Sequence, residues 1–211
     1  MAVPTPTIGK SRPTGSNTVG TVVAKSGLSV QEFGGNGIVR KTVFTLTAMA
    51  MTMTEISGTA EGFGSQQLYD FPQGRIKVLG CVSSLAFTTT SELATTLNGG
   101  STCSHGIGTT ATVAGDAGVL SGTMMNFMPG TGESVKAFTS SATINVAGAT
   151  ALGILAAVSA AQLGAIVNGT VTAADLYLNI AAPTANDIDA DATLTVTGTI
   201  ELTWINEGYG G

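Results

Sequence analysis

The chain has 211 residues, 43% of them hydrophobic and only 10% charged, with a formal net charge of −5. A soluble domain ordinarily carries about 25% charged residues, so its surface must be covered by uncharged polar groups, which the 33 Thr and 29 Gly help to supply. This excludes a disordered chain, which is poor in apolar residues, a coiled coil, which is rich in Glu, Lys and Arg, and collagen, whose Gly recurs at every third position.

Residues 1–20 read as an extended arm. Pro4, Pro6 and Pro13 block regular hydrogen bonding, and Gly9 and Gly15 loosen the chain further. Charge is uneven: residues 1–41 hold five bases against Glu32, a net of +4, and residues 42–211 have a net of −9. A basic leading segment on an acidic body favours acidic neighbours, copies of the same chain included. Nucleic acid is not an expected partner. It needs a denser basic patch with aromatic platforms, and Phe33 is the one aromatic of this segment. Met1–Gly20 has no apolar run, so no signal peptide is expected. Cys81 and Cys103 then read as free thiols in a reducing cytoplasm.

The body, residues 21–211, reads as one β domain. Ile38–Thr54 is a long strand candidate. Phe44, Leu46, Ala48 and Ala50 fall on one face, and Val43, Thr45, Thr47, Met49, Met51 and Met53 on the other. Two partly apolar faces imply burial on both sides or a subunit contact. Gly64–Gly74 reads as a loop, and Ile76–Thr88 as a strand with Gly80 marking a bulge or a close approach. Gly99–Gly108 and Pro129–Gly132 read as loops, Val135–Val146 as a strand, and a short helix fits Ser91–Leu97 or part of Leu152–Leu163. The apolar run Gly153–Val167 is 15 residues long and contains Ser159, Gln162 and two Gly. A spanning helix needs about 20 apolar residues, so this run reads as a buried segment and no membrane partner is expected.

The C-terminal third gives the clearest signal. Leu176, Leu178 and Ile180 alternate with Asp175, Tyr177 and Asn179, and a turn-rich linker follows. In Thr193–Trp204, Leu194, Val196, Ile200, Leu202 and Trp204 share one face and the Thr residues the other. The two segments predict an antiparallel pair. Seven or eight strands at this spacing predict an all-β sandwich or jelly roll.

Few residues carry chemistry. The single His105 lies in Ser104-His105-Gly106 with Cys103 nearby. A catalytic histidine needs a nucleophile and an orienting acid in space, and no Gly-x-Ser-x-Gly pattern exists, so a loop histidine is expected. Asp187, Asp189 and Asp191 space carboxylates as calcium loops do. The sixth and twelfth positions are Ala192 and Gly198 rather than Gly and Glu, so a solvated turn is expected. Gly130–Ser134 lacks the Gly-Lys-Thr of a phosphate loop, and Gly62-Phe63-Gly64 lacks a third Gly. Met49, Met51 and Met53, and Met124, Met125 and Met128, read as packing groups rather than copper ligands. Asn168-Gly169-Thr170 has glycosylation spacing without evidence of secretion. No catalytic, cofactor-binding or metal-binding residue is assigned, and no cofactor is expected.

Asp175-Leu-Tyr-Leu-Asn-Ile-Ala-Ala-Pro183 and Leu194-Thr-Val-Thr-Gly-Thr-Ile-Glu-Leu-Thr-Trp204-Ile-Asn206 resemble the closing hairpin of tailed-bacteriophage virion structural proteins, including those that decorate or cement capsids. Gln67-Leu-Tyr-Asp-Phe-Pro72, with the strand from Ile76, is similar to the middle of that group. The resemblance covers about a third of the chain; Leu97–Leu152 shows no match. It implies a non-enzymatic capsid decoration protein with a jelly-roll-like body. Such a protein would be made in the host cytoplasm and bind the major capsid protein on the outer surface of the head as a homotrimer. Other readings are a tail or head-fibre protein of the same virion, a carbohydrate-binding β-sandwich module and a hydrolase using His105.

Overall fold

The structure, a computed structural model, describes residues 20–34, 39–58, 61–89, 104–112, 120, 122–127, 143–151, 166–182 and 190–208. Among the described residues ten strands run in chain order: β1 (Thr21–Val22), β2 (Leu28–Phe33), β3 (Val39–Ile56), β4 (Glu61–Asp70), β5 (Gly74–Thr89), β6 (Ser104–Gly108), β7 (Thr143–Ala151), β8 (Ile166–Gly169), β9 (Asp175–Ala182) and β10 (Ala192–Asn206). One 3-10 turn, Gly122–Met124, is the only helical element among the described residues. The architecture is all-β, as the alternation predicts.

All the strands belong to one antiparallel sheet in the order β6-β9-β4-β3-β10-β5-β7, with β1 on β4, β2 on β3 and β8 on β5. The sheet curls into a half-barrel, consistent with a sandwich or jelly-roll body. β3 carries the curl. Its first part lies between β2 and β10, and its last residues, Thr54–Ile56, pair with Phe63–Glu61 of β4. The two halves of the sheet therefore face each other across the main apolar core.

The face assignment of β3 is corrected by a bulge. Val196 pairs with Met49 and Gly198 with Leu46, so Thr47 and Ala48 together oppose Thr197. Ala48 takes a left-handed φ of 49°, and its amide donates to Thr197 Oγ1 at 3.2 Å. The extra residue reverses the strand's phase. Phe44 and Leu46 point inward before it, and Met49, Met51 and Met53 point inward after it, all nearly inaccessible. Two apparent apolar faces are thus one buried face, and Ala48 and Ala50 are exposed. Gly198 completes the crossing, because a Cβ there would collide with the Ser84 carbonyl.

The expected pairing of the last two strands is also overturned. β9 lies between β4 and β6, while β10 lies between β3 and β5. Alternation fixes which residues of a strand face the core but not which strand lies alongside. Within β10 the face assignment holds: Leu194, Val196, Ile200, Leu202 and Trp204 are all buried. Gly64–Gly74 is mostly strand rather than loop, as is the end of Gly99–Gly108. Gly80 does adjoin a bulge: Thr203 pairs with Gly80 and Trp204 with Val78, leaving Leu79 extra. Open space lies above it, so no close approach is involved. Of the expected strand Val135–Val146, Thr143–Val146 is strand and residues 135–142 lie outside the described residues. Outside those residues lie the arm up to residue 19, both helix candidates and the loop Pro129–Gly132.

Two substitutions test the sheet geometry. Ala48→Gly removes left-handed strain of roughly 1 kcal/mol and is expected to raise the melting temperature. Trp204→Asp places a charge in the core and is expected to abolish the cooperative melt seen by circular dichroism.

Candidate functional site

Polar side chains cluster at four places, three of them buried and the fourth half-buried. The first is Asn179 on β9, fully buried. Its Oδ1 accepts from Ser65 Oγ at 2.6 Å and from the Thr112 amide at 3.2 Å. Its Nδ2 donates to the carbonyls of Thr110 at 2.9 Å and Met124 at 2.7 Å. Thr112 Oγ1 in turn donates to the Gly64 carbonyl at 3.0 Å. A buried amide satisfied on both atoms fixes its neighbours in place. Asn179 thereby pins the segments 109–112 and 122–127 to the sheet.

The second is His105 on β6, 5% exposed. Its Nε2 lies 3.3 Å from Ser83 Oγ on β5, across the curl of the sheet. Its ring sits 5.9 Å from that of Phe87. Burial pushes its pKa down to about 4, so the imidazole is neutral at physiological pH. A triad base needs an orienting carboxylate, whereas among the described residues the ring's contacts are the Ser83 hydroxyl and the Phe87 ring. His105 is a strand residue packed in the core, not a loop histidine.

The third surrounds Trp204. Its Nε1 donates to Thr42 Oγ1 at 2.8 Å, and the Arg40 guanidinium lies over its ring at 5.7 Å. Arg40 Nη1 reaches Glu32 Oε2 at 3.5 Å, with both side chains largely buried. Burial pushes the Glu32 carboxyl upward, opposed by the charge of Arg40 and the backbone of Gly20. This arrangement seals one end of the core with a cation held by both an aromatic face and an acid.

The fourth is a pair of aspartates. Asp70 and Asp175 stand directly opposite each other on β4 and β9. Tyr177 donates its hydroxyl to Asp175 Oδ2 at 3.0 Å, and Gln67 Nε2 donates to Asp70 Oδ1. Desolvation, then the hydrogen bond and charge of Asp175, push the Asp70 carboxyl up, with Gln67 opposing. The Tyr177 phenol is pushed up as well, first by desolvation and then by Asp175.

The other candidate residues are spent on structure. Met49, Met51 and Met53 fill the core, and Met124 packs on Leu120 and Ala181. Cys81 is a buried free thiol raised to about 12 by desolvation. Gly62–Gly64 is strand rather than loop, and a Cβ at Gly64 would lie 2.6 Å from the Thr52 carbonyl. Asp191 accepts from the Glu55 amide at 2.8 Å, closing one end of the sandwich. Asn168 accepts from the amide and hydroxyl of Thr170 in a local turn. Among the described residues, no three His, Cys, Asp or Glu side chains converge as metal ligands, and no helix is long and apolar enough to cross a membrane. Cys103, Asp187, Asp189, Met128 and Gly130–Ser134 lie outside the described residues.

Sequence reasoning placed none of the four clusters. Asn179 and Asp175 sit on the polar side of an alternating strand, a pattern that reads as solvent-facing until a second strand covers it. Asp70 lay in a segment read as loop. No family model, curated protein or solved structure matches the chain.

Two titrations follow. The lowered pKa of His105 means that the unfolded chain binds its proton more readily. The stability contributed by the neutral ring is complete above pH 6.5 and is lost as pH falls towards 4, by up to about 3 kcal/mol. Urea midpoints measured from pH 7 to pH 4 should therefore fall less steeply for His105→Gln than for the native chain. Asp70 has the opposite sign: its raised pKa favours the fold below 3.8 and loses that advantage as pH rises through the folded value. Asp70→Asn is expected to raise the melting temperature at pH 7 and to give no gain at pH 3.

Proposed function

We propose that this chain is a structural virion protein of the capsid decoration type, binding the outside of a phage head and bridging its capsomers. The observation that carries the reading is spatial. Of the segments that resemble this class, Gln67–Pro72 lies far in sequence from Asp175–Pro183 and Leu194–Asn206, yet it meets both. Asp70 pairs with Asp175 across the β4–β9 ladder, and the Phe71 ring packs edge-on against Trp204 at 5.2 Å. They meet through the core and the β4–β9 ladder rather than as the hairpin the resemblance implies.

The chemistry of the fold supports the reading. The titratable groups described above are buried in packing roles or held in strand-to-strand pairs, and the outer sheet faces are rich in Thr. Threonine faces hydrogen-bond to another protein without the desolvation cost of charges. A protein that binds an assembled shell but not its loose subunits stabilises that shell by mass action. The basic leading segment would extend the contact onto a neighbouring subunit. A carbohydrate-binding groove would be lined with several exposed aromatics, whereas among the described residues Phe33 alone is exposed, Phe63 and Tyr177 are half-buried, and Phe44, Tyr69, Phe71, Phe87, Phe127 and Trp204 are buried.

Immunogold microscopy of the phage particles, with antibody against the purified chain, tests this. Label spread over the head is expected; label confined to the tail favours a tail protein, and unlabelled particles contradict a virion role. Deleting residues 1–19 is expected to lower head occupancy several-fold while leaving the melting temperature unchanged.

A further inference from the structure

The sandwich has two unlike ends. At one, around the β3–β4 turn, lie Glu55, Glu61 and Asp191. At the other gather the starts of β3, β5 and β9 with the ends of β2, β4, β8 and β10: Phe33 pairs with Lys41, Val39 with Ile205, Ile205 with Lys77, and Gly74 with Gly169. The four large apolar side chains exposed among the described residues all lie at this second end: Val22 (43%), Phe33 (53%), Val39 (48%) and Val171 (86%). Val22 stands opposite Tyr69 near the end of β4, and the Val171 carbonyl accepts from Gln73. Single exposed apolar residues are ordinary, but their collection at one pole marks a contact surface.

We propose that a second copy of this chain docks at this pole, with Phe33 and Val39 at the centre of the contact. The proposal names a partner within the capsid-decoration reading and rests on it only for its biological setting. Phe33 and Val39 share a sheet face, since Phe33 opposes Lys41 and Val39 precedes Lys41 by two residues.

Two features select a second copy as the occupant. Beside the apolar pair lies the Lys41–Glu201 ion pair at 2.6 Å, with side chains 46% and 42% exposed. A patch that offers both signs around an apolar centre complements itself when two copies meet. The chain before Gly20 also leaves from this pole, because Gly20 donates to the Tyr69 hydroxyl. Those 19 residues carry Lys10 and Arg12 and no acid, while residues 42–211 have a net of −9. A chain of that length can reach roughly 60 Å, enough to bring Lys10 and Arg12 to the acidic body of a docked neighbour.

Sedimentation velocity of the full chain at about 50 µM, without phage particles, tests the proposal. The native chain is expected to sediment as a multiple of 21.0 kDa. Phe33→Asp/Val39→Asp is expected to sediment as a monomer with an unchanged thermal melt, its association weakened at least ten-fold. If that variant fails to fold, Phe33→Ser/Val39→Ser gives the same reading with a milder change. A native chain that stays monomeric, or a folded variant that assembles like the native chain, overturns the proposal. A monomer that still decorates heads would sink it while sparing the capsid reading; self-association without head binding would do the reverse.

Discussion

Four aromatic rings hold the curled sheet against itself. Tyr69 and Phe71, at the end of β4, stand edge-on between Phe44 on β3 and Trp204 on β10, with successive centroids 5.2–5.7 Å apart. Each edge-to-face pair adds about 0.5–1.5 kcal/mol beyond the area it buries. Position matters more than the sum: these contacts join the two faces that the curl of β3 brings together. The bulges serve the same hub. On β4 the extra residue is Leu68, which lets Leu68 and Tyr69 both reach the core as consecutive residues. On β5 it is Leu79, directly before the register that seats Trp204 against Val78.

Polar groups finish what the rings begin. Asn179 makes four hydrogen bonds, Trp204 has Thr42, and Arg40 has both Glu32 and the indole face. Burying such groups without partners would cost several kcal/mol each. Paired, they favour one arrangement of loops and strands over its alternatives. Among the described residues, Asn179, His105, Trp204 and Arg40 fasten one strand or segment to the next, while Thr45, Thr47, Thr52, Thr193 and Thr197 lie exposed on the outer face.

The sequence made the strands legible where alternation ran unbroken. β10 has five inward apolar positions in one phase, with Gly198 filling the gap in the series, so both its extent and its faces could be read. In β3 the extent was legible but the faces were not, because a bulge at Ala48 carries no mark in composition and reverses the phase from one residue to the next. β4 was missed because Gly62, Gly64 and two adjacent glutamines look like loop; Gly64 is there because the chain passes close over Thr52 and Met53. Pairing was the least legible, since β9 is separated from its β4 partners by more than a hundred residues. The buried polar clusters depend on that pairing and were hidden with it.

A core sealed by rings and polar side chains turned to packing support the proposal that this protein acts by joining protein to protein. A cryo-electron microscopy map of a phage particle carrying the chain tests it most directly. The account requires density for the sandwich on the outer head shell, clustered in symmetric groups whose contacts bury Phe33 and Val39. A map in which the sandwich is absent from the shell, or stands alone with that pole open to solvent, would contradict it.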